Sequence, residues 1–263
     1  MTSRPLLVFH PYSRLARNYD AALGIPNFLR TRRAFEFLVR RHAIRFRSAA
    51  DLGCGTGLFA RYLATCWRVP VLAVDRSPEM LRVARRNCCR TPVQFLEQDI
   101  RCLRLPQPVD LITANFDTLN HLVNKDEVRR LFCRVAENLR PGGWFVFDFV
   151  TPCQPLAGRR TWVRHYRSCG RELQQRIRWN PRRRLLSILI VERWAAHTPP
   201  AVEVHRERAY TPDEIGRWLL DAEFIIRGAH DAATLRSARN CPLRLIVVAQ
   251  THAGHKMSNH SLR

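Results

Sequence analysis

The sequence predicts an α/β protein, a doubly wound, seven-stranded, mainly parallel sheet with an antiparallel β insertion after its fifth strand. Three observations predict it. Up to about residue 150, apolar strand-like runs alternate with segments of helical periodicity, the order of a parallel sheet covered by helices on both faces. The stretch Asp51-Leu52-Gly53-Cys54-Gly55-Thr56-Gly57 reads as strand, tight glycine turn and helix start. Its alternate glycines let the chain turn sharply and let a ligand approach main-chain N–H groups. From about Pro152 to Tyr210, four strand-like runs follow one another without a helical pattern between them.

Residues 1–44 precede the first core strand and read as a helical lid. Tyr12 and Tyr19-Asp20 fall in a short helical pattern that Gly24 and Pro26 interrupt. A helix then runs from about Asn27 to Arg41, with Phe28, Ala34, Phe35, Leu38 and Val39 on one side. The first core strand ends at Asp51 to Gly53. The helix after it puts Leu58, Phe59, Tyr62, Leu63 and Cys66 on one face. Strand two is Val71 to Asp75. An acidic side chain at its tip can accept both hydroxyl hydrogens of a ribose. Ser77 caps the next helix, with Pro78 at its first position and Met80, Leu81, Ala84 and Cys88 facing inward. Strand three is Val93 to Leu96, and strand four is Val109 to Thr113.

A patterned helix with Val128, Leu131, Phe132, Val135 and Leu139 leads to a Pro141-Gly142-Gly143 turn and strand five, Trp144 to Val150. Trp162 to Arg167, Leu173 to Trp179, Leu185 to Trp194 and Val202 to Tyr210 form the insertion, residues 151–210, expected to cover the active-site rim. Thr211-Pro212-Asp213-Glu214 starts a helix. Phe224 to Ile226 and Leu243 to Ala249 close the sheet. The core is thus 45–150 with 211–250, and the polar tail 251–263 reads as disordered. Ligands in such sheets bind at the carboxyl ends of the strands, which places Gly53, Asp75, Asp99 and Asn115 along one rim.

Apolar residues make up 46% of the 263, enough for a sizeable core. No apolar run approaches the roughly 18 residues of a membrane span. The short apolar piece Leu6 to Phe9 is too brief for a signal-peptide core, so a cytoplasmic protein is expected. The nine cysteines include no C-x-x-C pair and read as reduced core residues. His252, His255 and His260 read as tail residues, not metal ligands. The net charge of +22 is nearly all arginine, with Lys125 and Lys256 the only lysines. The arginines are spread along the chain, so a solvated basic surface is favoured over a nucleic-acid partner.

The seven-residue glycine stretch, followed by Val74-Asp75 at the end of the next strand, resembles the class I S-adenosylmethionine-dependent methyltransferases. The spacing is G-x-G-x-G and not the dinucleotide G-x-G-x-x-G. Leu139-Arg-Pro-Gly-Gly-Trp-Phe145 is similar to the family's approach to its fifth strand. Phe116 to Leu122, Glu203 to Tyr210 and Leu219 to Phe224 resemble a subgroup of small-molecule-type members. The similarity covers roughly residues 10 to 250. One departure is Ala222-Glu223-Phe224, where glycine is usual before the Phe.

The resemblance implies a Rossmann-like fold and S-adenosylmethionine as cofactor. It implies cofactor contacts from Tyr19, Asp51, Gly53, Cys54, Gly55, Gly57, Asp75, Arg76 and Met80. Asp99 would bind the adenine amino group, and Ile100 the ring through its backbone. Asn115 and Phe116, in the loop beside the methyl group, are also assigned to the cofactor, and Tyr12 and Asn120 to the substrate. A sulfonium methyl is already activated, so the protein must mainly hold a nucleophile in line with it, about 3 Å away. Asp117 and His121 can accept the proton, and His121 has the better intrinsic pKa. The loop Asn115-Phe116-Asp117-Thr118 lacks the prolines that clamp a flipped base, and Cys153 follows strand five, a poor match for a nucleophilic cysteine. The expected activity is direct methyl transfer to N or O of a small molecule. The alternatives are an RNA methyltransferase or a non-catalytic S-adenosylmethionine-binding partner protein.

Overall fold

The computed structural model describes residues 7–153, 160–168, 171–193, 200–238 and 242–254. It opens with β1 (Leu7–Phe9) and α1 (Ile25–Arg41). The alternating part comprises β2 (Ala49–Leu52), α2 (Leu58–Cys66), β3 (Val71–Asp75), α3 (Pro78–Asn87), β4 (Val93–Glu97), β5 (Val109–Ala114), α4 (Lys125–Glu137) and β6 (Leu139–Val150). Four strands follow: β7 (Thr161–Ser168), β8 (Arg171–Asn180), β9 (Leu185–Arg193) and β10 (Ala201–Arg208). Then come α5 (Pro212–Asp221), β11 (Phe224–Asp231) and β12 (Arg244–Thr251). No helix among the described residues is long and apolar enough to cross a membrane.

The main sheet has the order β11-β12-β6-β5-β2-β3-β4. Its five central and far strands pair in parallel, and β12 runs antiparallel to both neighbours. Side-chain alternation decides the two layers. Ala49, Val71, Ala73, Leu111 and Val146 pack against α1, α2 and α3. Their neighbours Ala50, Leu72, Val74, Ile112, Phe145 and Phe147 pack against α4 and α5. The inner strands β2, β3, β5 and β12 are buried on both faces along nearly all their length and read as near-continuous apolar runs, whereas the edge strands β4 and β11 are partly exposed.

Local chemistry sets the helix starts as the sequence suggests. Ser77 accepts the Met80 N–H at 3.2 Å, and Thr211 and Glu214 form a reciprocal capping box. Pro141-Gly142-Gly143, expected as a turn, lies inside β6, with Gly142 at φ 73°. There β6 shifts register against β5, and glycine absorbs the irregularity. Thr251, expected in the tail, instead ends β12, and its hydroxyl donates to the Arg140 carbonyl at 3.1 Å. Residues 255–263, with His255 and His260, lie outside the described residues.

The second sheet is antiparallel in the order β10-β9-β8-β7, and β1 adds to β10 in parallel. The N-terminal segment, expected as wholly helical, thus contributes a strand to the insertion's sheet. A three-residue strand has no periodicity to betray it. The cysteine expectation also needs correcting. Cys54 and Cys88 are buried thiols, but Cys66, Cys89, Cys102 and Cys133 are exposed, and Cys153 is disulfide-bonded. Cys153 stands in the loop after β6, away from any apolar helix face. Cys169 and Cys241 lie outside the described residues.

Candidate active site

A cavity opens at the carboxyl ends of β2, β3 and β5, where the topology places a ligand. The glycine turn forms its floor. Gly53, Gly55 and Gly57 all have positive φ, at 63°, 54° and 78°. Gly53 has a second reason to be glycine, since a Cβ there would lie 2.5 Å from the Thr118 hydroxyl. At Gly55 a Cβ would meet nothing within 4 Å, because that side of the backbone faces the open cavity. Gly57 is different. It caps α2, and a Cβ would stand 3.0 Å from both the Ala84 Cβ and the Cys88 Sγ. It does not line the cavity; its role is to let α2 and α3 approach. Gly57→Ala is expected to cost about 1–3 kcal/mol of stability, read as a lower melting temperature. An unchanged melting temperature would show that the helices can move apart freely.

Asp75 holds this floor in place. Its Oδ2 accepts the Gly55 N–H at 2.8 Å and its Oδ1 the Ser77 N–H at 2.9 Å. Burial raises its pKa despite those bonds. Asp51 lies deeper, and burial pushes it up to about 7, against the bond it accepts from Thr113 at 2.8 Å. Asn115 lies against Asp51, yet its amide nitrogen is buried without a hydrogen-bond partner of normal geometry. Cys54, Arg76, Met80, Ile100 and Phe116 also face the cavity. So does Asp99, whose carboxylate is gripped by the Arg101 guanidinium at 2.7 Å. Residues the sequence reading missed line it too: Thr56, Phe59, Gln98, Thr118 and Leu122. Thr56 was legible as part of the glycine stretch, but the others carry no signal beyond ordinary core or loop composition.

The lid supplies the opposite wall. Tyr12 and Tyr19 both reach the cavity, their rings 6.2 Å apart in an edge contact. Asp20 ties this segment to the floor by accepting from the Thr56 hydroxyl and, at 2.9 Å, from the Asn87 amide. Tyr12 has a left-handed backbone, φ 65°, which is costly for a residue with a Cβ. Glu203 of β10 holds it there. Its carboxylate accepts the N–H groups of Tyr12 at 2.7 Å, Arg14 at 2.7 Å and Leu15 at 2.9 Å, and meets His205 Nε2 at 3.0 Å. Burial opposes ionisation, but these bonds hold Glu203 below the usual carboxylate range.

His121 stands where lid and core meet. Its Nε2 is 2.8 Å from the Tyr12 hydroxyl, and both Tyr12 and His121 line the cavity. Burial, followed by neighbouring His205, pulls His121 down to about 4. Burial also raises Tyr12 well above its usual value. At neutral pH the contact therefore joins a phenol to a neutral imidazole. Glu207 Oε1 lies 3.8 Å from the same Nε2, but burial and then Asp117 push this carboxyl up to about 8. The contact is thus not an ion pair near pH 7.

Asp117, the other proton acceptor expected, is placed elsewhere. Its carboxylate faces the Arg244 guanidinium at 2.6 Å, which also meets Asp148 at 2.7 Å. Asp148 in turn accepts the N–H groups of Phe116 at 3.0 Å and Asp117 at 3.1 Å. Both of those residues have positive φ, 58° and 61°. This network fixes the strained loop after β5 and leaves Asp117 outside the cavity wall. Asn120, expected at the substrate, is fully buried. Its amide bonds the Val150 backbone N–H and the Arg208 carbonyl, so it joins the loop to β6 and β10. Asp148 and Arg244 were visible in sequence only as charges in apolar strands.

The raised acids have a consequence for stability. Asp51 and Glu207 keep protons in the folded chain that the unfolded chain has already lost. Their contribution is full below the ordinary carboxyl range and is lost as pH rises through about 7 and about 8. The melting temperature is therefore expected to fall between about pH 4 and about pH 8, and less steeply in Glu207→Gln. Parallel pH profiles for the two proteins would mean that Glu207 is ionised throughout.

Residues 49–143 match the family model described as a methyltransferase domain. The chain is 33% identical over 129 residues to a dTDP-3-amino-3,6-dideoxy-α-D-glucopyranose N,N-dimethyltransferase of Streptomyces fradiae, covering 46% of this chain and 49% of that one. It is 32% identical over 148 residues to trans-aconitate 2-methyltransferase of Escherichia coli, covering 54% and 56%. The chain spans about half the length of these curated relatives. Among solved structures, an S-adenosylmethionine-dependent methyltransferase from Clostridium acetobutylicum superposes with a TM-score of 0.76 at 24% identity, over 92% of this chain and 99% of that one. An amino pentose methyltransferase from Micromonospora echinaspora, solved with S-adenosylmethionine bound, gives 0.67 at 22% identity over 94% and 99%. These likenesses extend the fold match beyond the domain to nearly the whole chain. Residues 49–143 of this chain are thus similar to a methyltransferase domain, and the fold around them is that of these methyltransferase structures.

Proposed function

We propose that this protein transfers the methyl group of S-adenosylmethionine to a nitrogen or oxygen of a small molecule by direct in-line displacement. The observation that carries the reading is one cavity walled by the glycine floor with Asp75 on one side and by the Tyr12–His121 pair on the other. The cavity suits a cationic, hydroxyl-bearing ligand. Asp51 and Asp75 are both raised by burial, and a positive ligand would restore their charge. The backbone at Gly55 and the Asn115 side chain beside Asp51 offer further polar contacts. The relatives that act on an amino sugar and on trans-aconitate support a small-molecule acceptor.

When bound, S-adenosylmethionine supplies an already activated methyl group. The chain's own task is orientation and proton removal. Asp75 would hold the ribose hydroxyls, Asp99 and Ile100 the adenine, and Tyr19 the methionine end. His121 stays neutral down to about pH 4 and so can take the acceptor's proton at Nε2, directly or through the Tyr12 hydroxyl. Closing the lid over this pair excludes water from the reacting atoms. The cytoplasmic setting expected from the sequence stands against the bonded Cys153, since such bonds persist mainly in oxidising compartments; a free Cys153 thiol in protein taken from cells would support that setting and a blocked one would contradict it.

His121→Gln keeps a hydrogen-bonding side chain but cannot take a proton at neutral pH. Methyl incorporation into a small-molecule extract is expected to fall by about 10²-fold or more, with affinity for S-adenosylmethionine within about twofold of the parent. Unchanged incorporation would remove His121 from the mechanism.

A further inference from the structure

A second cavity meets the first at Arg76 and His121, which line both. Pro11, Val123 and Val204 give it apolar walls, and Arg206 stands at its mouth. Arg76 follows β3 and Arg206 lies in β10, so two separate elements bring an arginine to one cavity. No carboxylate lines it. Arg76 favours the charged forms of Asp75 and Asp99 on the cofactor side. Among the described residues, neither Arg76 nor Arg206 makes an ion pair within 4 Å, although Arg101, Arg140, Arg184 and Arg244 all do.

We infer that this second cavity is the acceptor site, and that the acceptor carries a phosphate or carboxylate group held by Arg76 and Arg206 while its nucleophile rests against His121. The inference rests on the methyl-transfer reading above. Guanidinium forks match the paired oxygens of phosphate and carboxylate, and their bonds to such anions are the strong, charge-assisted kind. Pro11, Val123 and Val204 offer apolar contact to an uncharged part of the acceptor.

Calorimetric titration tests this on the full chain saturated with S-adenosylhomocysteine, in about 150 mM salt to suppress general attraction to a +22 protein. The probes are inorganic pyrophosphate and citrate. The expected result is that one of them binds about tenfold more weakly to Arg206→Gln and is lost in Arg76→Gln/Arg206→Gln. Arg130→Gln, an exposed site on α4, should change nothing. A preference for pyrophosphate assigns a phosphorylated acceptor, and a preference for citrate a carboxylated one. Equal binding of both probes to parent and Arg206→Gln, or an equal loss in Arg130→Gln, overturns the inference. Titration with S-adenosylmethionine separates the two levels. If it binds while the anion arms fail, the anionic acceptor alone falls. If it does not bind, the methyl-transfer reading falls as well.

Discussion

Asp75→Ala is expected to weaken binding of S-adenosylmethionine by more than about tenfold, through the loss of charge-assisted bonds to the ribose. The structure adds a second loss. Asp75 also accepts the Gly55 and Ser77 N–H groups, so the substitution frees the middle of the glycine floor and the start of α3 together. Asp75→Asn separates the two effects. It keeps one oxygen for a backbone N–H and removes the charge, so its affinity should lie between parent and alanine variant. Calorimetry gives the affinity and a melting curve the stability. If Asp75→Ala binds as tightly as the parent, the ribose is held elsewhere.

Arg244→Ala has the largest expected effect on stability. Arg244 lies between Asp117 and Asp148, and Asp148 holds two backbone N–H groups in left-handed geometry. Without the guanidinium, two neighbouring carboxylates face each other, beside Glu207. Breaking such a pair from one side costs about 3–5 kcal/mol when fully buried. Arg244 is 32% exposed, so about 2–4 kcal/mol is expected here, or roughly 5–15 °C in melting temperature. The deficit should shrink as pH falls and the stranded carboxyls take up protons. A deficit independent of pH would mean that Arg244 acts by packing alone.

Much of the architecture was legible because its signals are local. Alternation, glycine turns and the Ser77 and Thr211 caps act within a few residues of themselves. The cavity's floor was legible for the same reason, since Gly53, Gly55 and Asp75 carry their geometry in their spacing. What escaped depends on distant parts of the chain. Glu203 holds Tyr12 from 191 residues away, and Arg244 reaches Asp148 across 96. Neither pairing leaves a periodic trace. Asp117 and Asn120 look like site residues in the loop's sequence, but partners supplied by β6, β10 and β12 turn them to structural work. Gly57 continues the glycine rhythm for a packing reason, the approach of α2 to α3.

The most direct test of the account is transfer of labelled methyl from S-adenosylmethionine into a cell lysate, followed by size fractionation with and without nuclease. Label in the small-molecule fraction, absent with His121→Gln, is the predicted result. Label in a large, nuclease-sensitive fraction would contradict it and assign the basic surface to an RNA acceptor.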